Sequence, residues 1–230
     1  MKIGGFQKTS LLDYPNRISA IIWTVGCNFR CPFCYNKNLV DGNVDLFSED
    51  EILSFLKKRK GLLEGLSISG GEPLLQKDIA EFIAKVKKLG YLVKVDTNGT
   101  FPKILKELLD KKLIDYVSMD VKAPKKKYDQ LAGVKVSVSK IDKSISIIKN
   151  DAPDYEFKTT FVPQFLKKED VIDIAKWLKG SKNFYLQQFK NDVPLISPKL
   201  RDIKPYPKEY LYETLEAIKP YFEYCEVRGI

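Results

Sequence analysis

Three of the four cysteines of this 230-residue chain sit together in Gly26-Cys27-Asn28-Phe29-Arg30-Cys31-Pro32-Phe33-Cys34-Tyr35-Asn36-Lys37, spaced C-x3-C-x2-C. Thiolates are soft donors, and three of them on one short loop can wrap an iron–sulfur cluster. A structural zinc site takes four ligands, usually in two pairs, but the chain has no histidine and Cys225 is remote in sequence. A disulfide among the three would leave an odd thiol. Clusters of the 4Fe–4S type are normally held by four cysteines, so three ligands would leave one iron open, as a catalytic zinc keeps an open position. Surface thiols that bind metal adventitiously are the plain alternative, and it weakens as further motifs accumulate.

The elements that must position these thiols follow from hydrophobic periodicity. Ile18–Val25 is an apolar, β-branched run of strand length, which puts the cysteines on the loop just past a strand end. Further strands are expected near 66–69, 91–95, 116–119, 155–161 and 183–188. Helices open at Ser48 with a capping box to Glu51, at Asp78 and at Pro102, cover 140–150 and 169–179, and begin again at Pro207. Glu223–Arg228 is a candidate last strand. Six strand–helix units without a linker or repeat give an α/β fold, a parallel sheet with helices outside, in one domain over 1–230. A closed eightfold barrel takes about 250 residues. Periodicity alone leaves a doubly wound sheet and an open partial (β/α)6 barrel both standing.

The unusual segments all follow predicted strand ends: Cys27–Cys34, Ser69-Gly70-Gly71-Glu72-Pro73, Asp96-Thr97-Asn98-Gly99, Met119-Asp120-Val121-Lys122, Val162-Pro163 and Gln187-Gln188-Phe189. That rim is where ligands bind in barrel and open α/β folds. Each segment also has a bland reading. Gly70-Gly71 can be a turn, Asp96–Gly99 a turn and cap, and Asp120/Lys122 a surface pair. On the functional reading the two glycines bare the backbone to a ligand, Glu72 receives an ammonium, and Asp120 and Lys122 share a face.

With Phe33 before the last cysteine, the cysteine loop resembles the signature of the radical S-adenosylmethionine (radical SAM) superfamily. Ser69–Pro73 resembles its GGE motif, which holds the SAM amino group. Asp96-Thr97-Asn98 and Met119-Asp120 with Lys122 resemble the D-T-N-G and M-D-x-K stretches of glycyl-radical-enzyme activases. Cys31–Lys37 resembles the loop of the activator of anaerobic ribonucleotide reductase, and Thr9–Pro15 and Val227-Arg228-Gly229 resemble one branch of that family. The likeness implies the open (β/α)6 barrel and a 4Fe–4S cluster on Cys27, Cys31 and Cys34, with its fourth iron open to SAM. It implies SAM contacts from Phe33, Ser69, Gly70, Gly71, Glu72, Asp96, Thr97, Asn98, Asp120 and Lys122, directly or through a monovalent cation. It also implies reductive cleavage of SAM to a 5′-deoxyadenosyl radical that makes a glycyl radical on a partner, anaerobic ribonucleotide reductase, with ferredoxin or flavodoxin as electron donor. Some activases place a histidine near SAM; here Gln187 or Gln188 is expected in its stead.

Composition narrows the remaining classes. Hydrophobic residues at 44% and charged residues at 30% describe a globular chain. No run spans a bilayer and no signal peptide opens the sequence, so a cytoplasmic protein is expected. The formal net charge of +9 comes almost wholly from lysine, which argues against nucleic acid, where arginine forks are favoured. It fits a solvated surface, with Lys125-Lys126-Lys127 as a possible steering patch for an acidic partner. Two rival functions stand beside the activase. One is a radical SAM enzyme acting on a small molecule, such as a deazapurine synthase, which a polar pocket with charged groups would favour. The other is a non-catalytic iron–sulfur electron carrier, which would not bind SAM.

Overall fold

The computed structural model describes residues Met1–Ile230. Eight strands and eight α-helices follow in chain order: β1 Ile3–Ser10, β2 Ser19–Thr24, α1 Lys37–Asp41, α2 Glu49–Lys58, β3 Gly65–Gly70, α3 Ile79–Lys88, β4 Leu92–Thr97, α4 Pro102–Asp110, β5 Tyr116–Asp120, α5 Tyr128–Ala132, α6 Val138–Asp151, β6 Tyr155–Phe161, α7 Lys168–Trp177, β7 Ser181–Gln188, α8 Lys208–Ile218 and β8 Phe222–Arg228. Ser48 accepts the Glu51 N–H at 3.1 Å to start α2, and Pro102 opens α4. Asp78, by contrast, makes no side-chain cap at α3.

The strands form one sheet in the order β1 to β8. Strands β2 to β8 run parallel in sequential order, each beside the next. A doubly wound sheet needs a reversal of strand order; without one, right-handed crossovers put the helices on one side and curl the sheet towards a barrel. The sheet does not close, so the architecture is the open partial barrel.

One departure from the sequence expectation lies at an edge. The sheet is not wholly parallel, because β1 pairs antiparallel with β2. Its glycines hid it: Gly is depleted in strands, yet here it admits close neighbours. A Cβ on Gly4 would lie 2.6 Å from Val25 and Val44, and one on Gly5 would lie 2.9 Å from Trp23. At the other edge β8 does pair with β7 and carries the sheet one strand beyond the six units.

The alternation along the strands sorts the two faces. Ile22, Ile68, Val93, Val95, Val117, Phe157, Phe184 and Leu186 are buried and belong, with the helix faces, to one apolar cluster of 51 residues. That cluster includes Phe29, Cys31 and Phe33, so the cysteine loop is rooted in the core. The positions between them are polar: Lys94 and Asp96 on β4, Ser118 and Asp120 on β5, Glu156 and Lys158 on β6, Gln187 on β7 and Arg228 on β8. The sheet thus has a dry convex face under the helices and a charged concave face. No helix is long and apolar enough to cross a membrane.

Candidate active site

The cysteine loop leaves β2 and is tied down on three sides. Gly26 N–H donates to Leu39 O at 2.8 Å, and Arg30 N–H to Ala132 O at 2.8 Å. A distant segment adds Ile196 N–H to Cys34 O at 3.0 Å and Ser197 N–H to Pro32 O at 2.9 Å. The Arg30 guanidinium caps the Cys27 and Phe29 carbonyls at 2.7 and 2.8 Å. The thiol positions are therefore set by backbone bonding on a loop whose apolar residues sit in the core.

Glycines fix how the β3 turn meets this loop. A Cβ on Gly70 would lie 2.2 Å from Thr24 N, and one on Gly71 would lie 2.0 Å from Gly26 O. These glycines admit the root of the cysteine loop; they do not simply bare backbone to a ligand. Gly71 N–H and Glu72 N–H then bond Thr24 O and Gly26 O, both at 2.9 Å.

The Glu72 carboxylate is fully buried and accepts three hydrogen bonds: from Leu74 N–H at 3.0 Å, Thr97 Oγ1 at 2.8 Å and Asn98 N–H at 2.7 Å. Burial raises its pKa to about 7 against the pull of those donors. Asn98 Nδ2 donates to Asn28 Oδ1 at 2.9 Å, and Asn28 Nδ2 donates to Thr100 Oγ1 at 2.9 Å. Thus the loops after β2, β3 and β4 form one bonded unit.

Past β4 and β5 the site is ionic. Lys94 Nζ lies 2.6 Å from Asp96 Oδ1, Lys122 Nζ 3.2 Å from Asp120 Oδ1, and Lys158 Nζ 3.5 Å from Asp96 and 3.7 Å from Asp120. Burial alone would raise the Asp96 pKa, but Lys158 and Lys94 hold it well below the usual carboxylate range. Burial alone would likewise lower Lys122 and Lys158; Asp120 and the cysteine thiols raise the first, Asp96 and Asp120 the second. The Lys122 ammonium also stands 5.8 Å from the Phe33 ring centroid.

One open cavity is lined by all the residues expected to contact the cluster or SAM: Cys27, Cys31, Phe33, Cys34, Ser69, Gly70, Gly71, Glu72, Asp96, Thr97, Asn98, Asp120 and Lys122. Lys158 and Thr160, which no motif marks, line it too, as does Gln187, one of the two glutamines expected there. Gln188 turns away and donates to Tyr206 O at 2.7 Å, so of the two glutamines Gln187 faces the cavity. Lys94, Lys158, Glu156 and Arg228 had a legible signal: charges at every second position of otherwise apolar strands. The Lys125–Lys127 run is less available than its sequence implied. The three ammoniums pair with Asp142, Asp173 and Asp170 at 2.7, 3.0 and 2.7 Å.

The thiols are free and unlike a single-ion site. No group of three His, Cys, Asp or Glu side chains converges to hold one metal ion, although all three cysteines line the same cavity. Burial pushes all three thiols up, Cys31 to about 12. Phe29 N–H, 3.4 Å from the Cys27 sulfur, and the nearby Lys122 work in the opposite direction and favour thiolate. Cys225 is half-buried on β8, outside the cavity, with Lys219 and Glu216 nearby.

Comparison with known proteins agrees with this geometry. The family profile of the Radical SAM superfamily matches residues 21–178. MJ1227 of Methanocaldococcus jannaschii, provisionally named a glycyl-radical enzyme activating enzyme, is 36% identical over 99% of this chain and 96% of its own length. A Pyrococcus horikoshii protein provisionally named GTP 3′,8-cyclase is 28% identical over 85% of this chain and 63% of its own. Streptococcus suis SuiB bound to S-adenosylmethionine shares the fold, with a TM-score of 0.68 at 17% identity over 91% of this chain. The chain spans about half the length of SuiB, 50%. The superfamily implies a 4Fe–4S cluster and SAM. The donor set fits them: three free thiols on one hydrogen-bonded loop share a cavity with carboxylates and ammoniums suited to a zwitterionic amino acid. By family profile, relatives and fold together, the chain is an enzyme of the radical SAM superfamily.

Proposed function

We propose that this chain activates a glycyl-radical enzyme, and that the partner is an anaerobic ribonucleotide reductase. The observation that carries the reading is convergence: the three thiols and the residues after β3, β4 and β5 line one cavity. Cys27, Cys31 and Cys34 hold the cluster, and Cys225 does not. Ser69, Gly70 and Gly71 border the methionyl end of SAM, and Phe33 walls the cluster side. Glu72 fixes Thr97 and Asn98 and offers its remaining lone pairs to the amino group. Asp96, Asp120 and Lys122 frame the ribose and carboxylate.

When bound, cluster and SAM supply one-electron cleavage of the sulfonium C–S bond, giving methionine and a 5′-deoxyadenosyl radical that abstracts a glycine Cα hydrogen. The residues of this chain orient the two groups and keep water from between them. The electron comes from a small donor such as ferredoxin or flavodoxin. The open edge of the sheet leaves room for a protein loop to approach.

Electron paramagnetic resonance on chain and partner, mixed anaerobically with SAM and reductant, tests this. A glycine-centred radical on the partner is expected, and its glycine-to-alanine variant should show none. No radical on any glycyl-radical partner would refute it. A second reading rests on the charged concave face. Asp13, Lys94, Asp96, Glu156, Lys158 and Arg228 line a further open cavity that shares Asp96, Lys158 and Gln187 with the first. Such a chamber suits a small polar substrate, and the cyclase relative lends it some weight. Turnover of a small molecule without a protein radical would favour it.

A further inference from the structure

The family likeness brings with it a monovalent cation beside the carboxylates of Asp96 and Asp120. The structure puts ammonium groups there instead. Lys94 Nζ sits 2.6 Å from Asp96 Oδ1, and the residue is 4% exposed. Lys158 Nζ bridges the two carboxylates at 3.5 and 3.7 Å, and Lys122 Nζ holds Asp120 from the other side at 3.2 Å. Lys94, Lys158 and Lys122 thus already pair both carboxylates, so a further cation would have to displace an ammonium to reach them.

The neutral ligands such a cation would want are engaged as well. Thr97 Oγ1 donates to Glu72 at 2.8 Å and accepts the Gly99 N–H at 3.1 Å. Met119 is fully buried, with its terminal methyl against Gly99. Nothing in this arrangement presents a free oxygen cage. Lys94 and Lys158 also alternate with apolar residues on β4 and β6, so both ammoniums rise from rigid strands rather than from mobile loops.

We propose that Lys94, backed by Lys158, takes the place of a monovalent cation, so that this chain binds SAM without potassium or sodium. Lys94 screens Asp96, and Lys158, which lines the cavity, is left to meet an incoming carboxylate. The inference rests on the reading of this cavity as the SAM site.

The test is calorimetric titration of SAM into the cluster-reconstituted protein at constant ionic strength in potassium, sodium or tetramethylammonium chloride. The last cation is too large to enter a carboxylate pair. The wild-type dissociation constant should change less than about threefold among the three salts. A Lys94→Met variant, checked for folding by circular dichroism, should bind about tenfold more weakly in tetramethylammonium and recover with potassium. A larger wild-type loss in tetramethylammonium, reversed by potassium, overturns the proposal. So does a folded variant whose affinity ignores potassium. If the variant does not fold, the wild-type series decides alone. Absence of SAM binding in every salt overturns the functional reading itself, an outcome distinct from salt-dependent binding.

Discussion

Arg228 on β8 grips Glu156 on β6 with two parallel hydrogen bonds, Nη1 to Oε1 at 2.9 Å and Nη2 to Oε2 at 3.0 Å, reaching past the Tyr185 ring of the strand between them. Ser118 Oγ and Tyr116 Oη complete the carboxylate's shell at 2.8 and 3.1 Å. The bond pins the last strand to the middle of the sheet. Because the Arg228 side chain is 37% exposed, the pair itself is worth little. The cost of Arg228→Met comes from leaving a buried carboxylate with neutral donors only. We expect a loss of about 2 kcal/mol in urea unfolding; an unchanged midpoint would show that β8 is held by packing alone.

Two buried carboxylates give the apoprotein opposite pH signatures. The Glu72 pKa is raised to about 7 by burial, so the folded state keeps a proton that the unfolded chain has released. Its ionisation therefore removes stability as pH rises from about 4.5 to 7, by about 3 kcal/mol. Glu156 is the reverse: burial would raise it, but Arg228, Lys158 and Lys94 hold it low. Its contribution is fully present above about pH 4.3 and is lost as pH falls below that. Chemical denaturation of Glu72→Gln across pH 4.5–7 should show a flatter slope than wild type. An equal slope would mean that Glu72 stays ionised in the fold.

The thiols divide three to one. Iron and sulfide content after anaerobic reconstitution should fall to background in Cys27→Ala, Cys31→Ala and Cys34→Ala. Cys225→Ala should load like wild type, because Cys225 lies outside the cavity that the other three share. Full loading of the Cys31 variant, or an empty Cys225 variant, contradicts this division.

Gly71 should tolerate no side chain. Its φ is not in the left-handed region, so the penalty of Gly71→Ala is a clash of a Cβ with Gly26 O at 2.0 Å. The backbone on either side must move, at about 1–3 kcal/mol, and cluster loading should fall because Cys27 is the next residue. Gly90→Ala is the control. It carries a φ of +91° and meets nothing within 4 Å, so it should cost about 1–2 kcal/mol and leave loading unchanged.

Much of this was legible in the amino-acid order. The pattern predicts a strand at 155–161, and β6 spans Tyr155–Phe161, because aromatic residues alternating with charged ones and followed by Thr-Thr-Phe leave little choice. The thirteen residues expected to contact the cluster or SAM line one cavity, since segments after parallel strands share a rim whatever their sequence separation. What was not legible depended on partners in space. Strand β1 is written in glycines that make sense only beside Trp23 and Val25. That Gly70 and Gly71 also make room for Thr24 and Gly26 depends on a loop distant in sequence. Lys125–Lys127 looked like a free patch until α6 and α7 supplied aspartates. No motif marks Lys94 or Lys158, although their place in strands of period two puts them on the concave face.

That concave face also has a temperature sign. Lining a fold with Lys94, Asp96, Asp120, Lys122, Glu156, Lys158 and Arg228 means stripping seven charges of part of their water, and charged-group hydration weakens on heating. The desolvation penalty of the ionic interior therefore shrinks as temperature rises, while the stabilisation from the apolar layer under the helices levels off. The two faces of one sheet respond differently to heat, and the charged one becomes relatively less costly the hotter the protein runs.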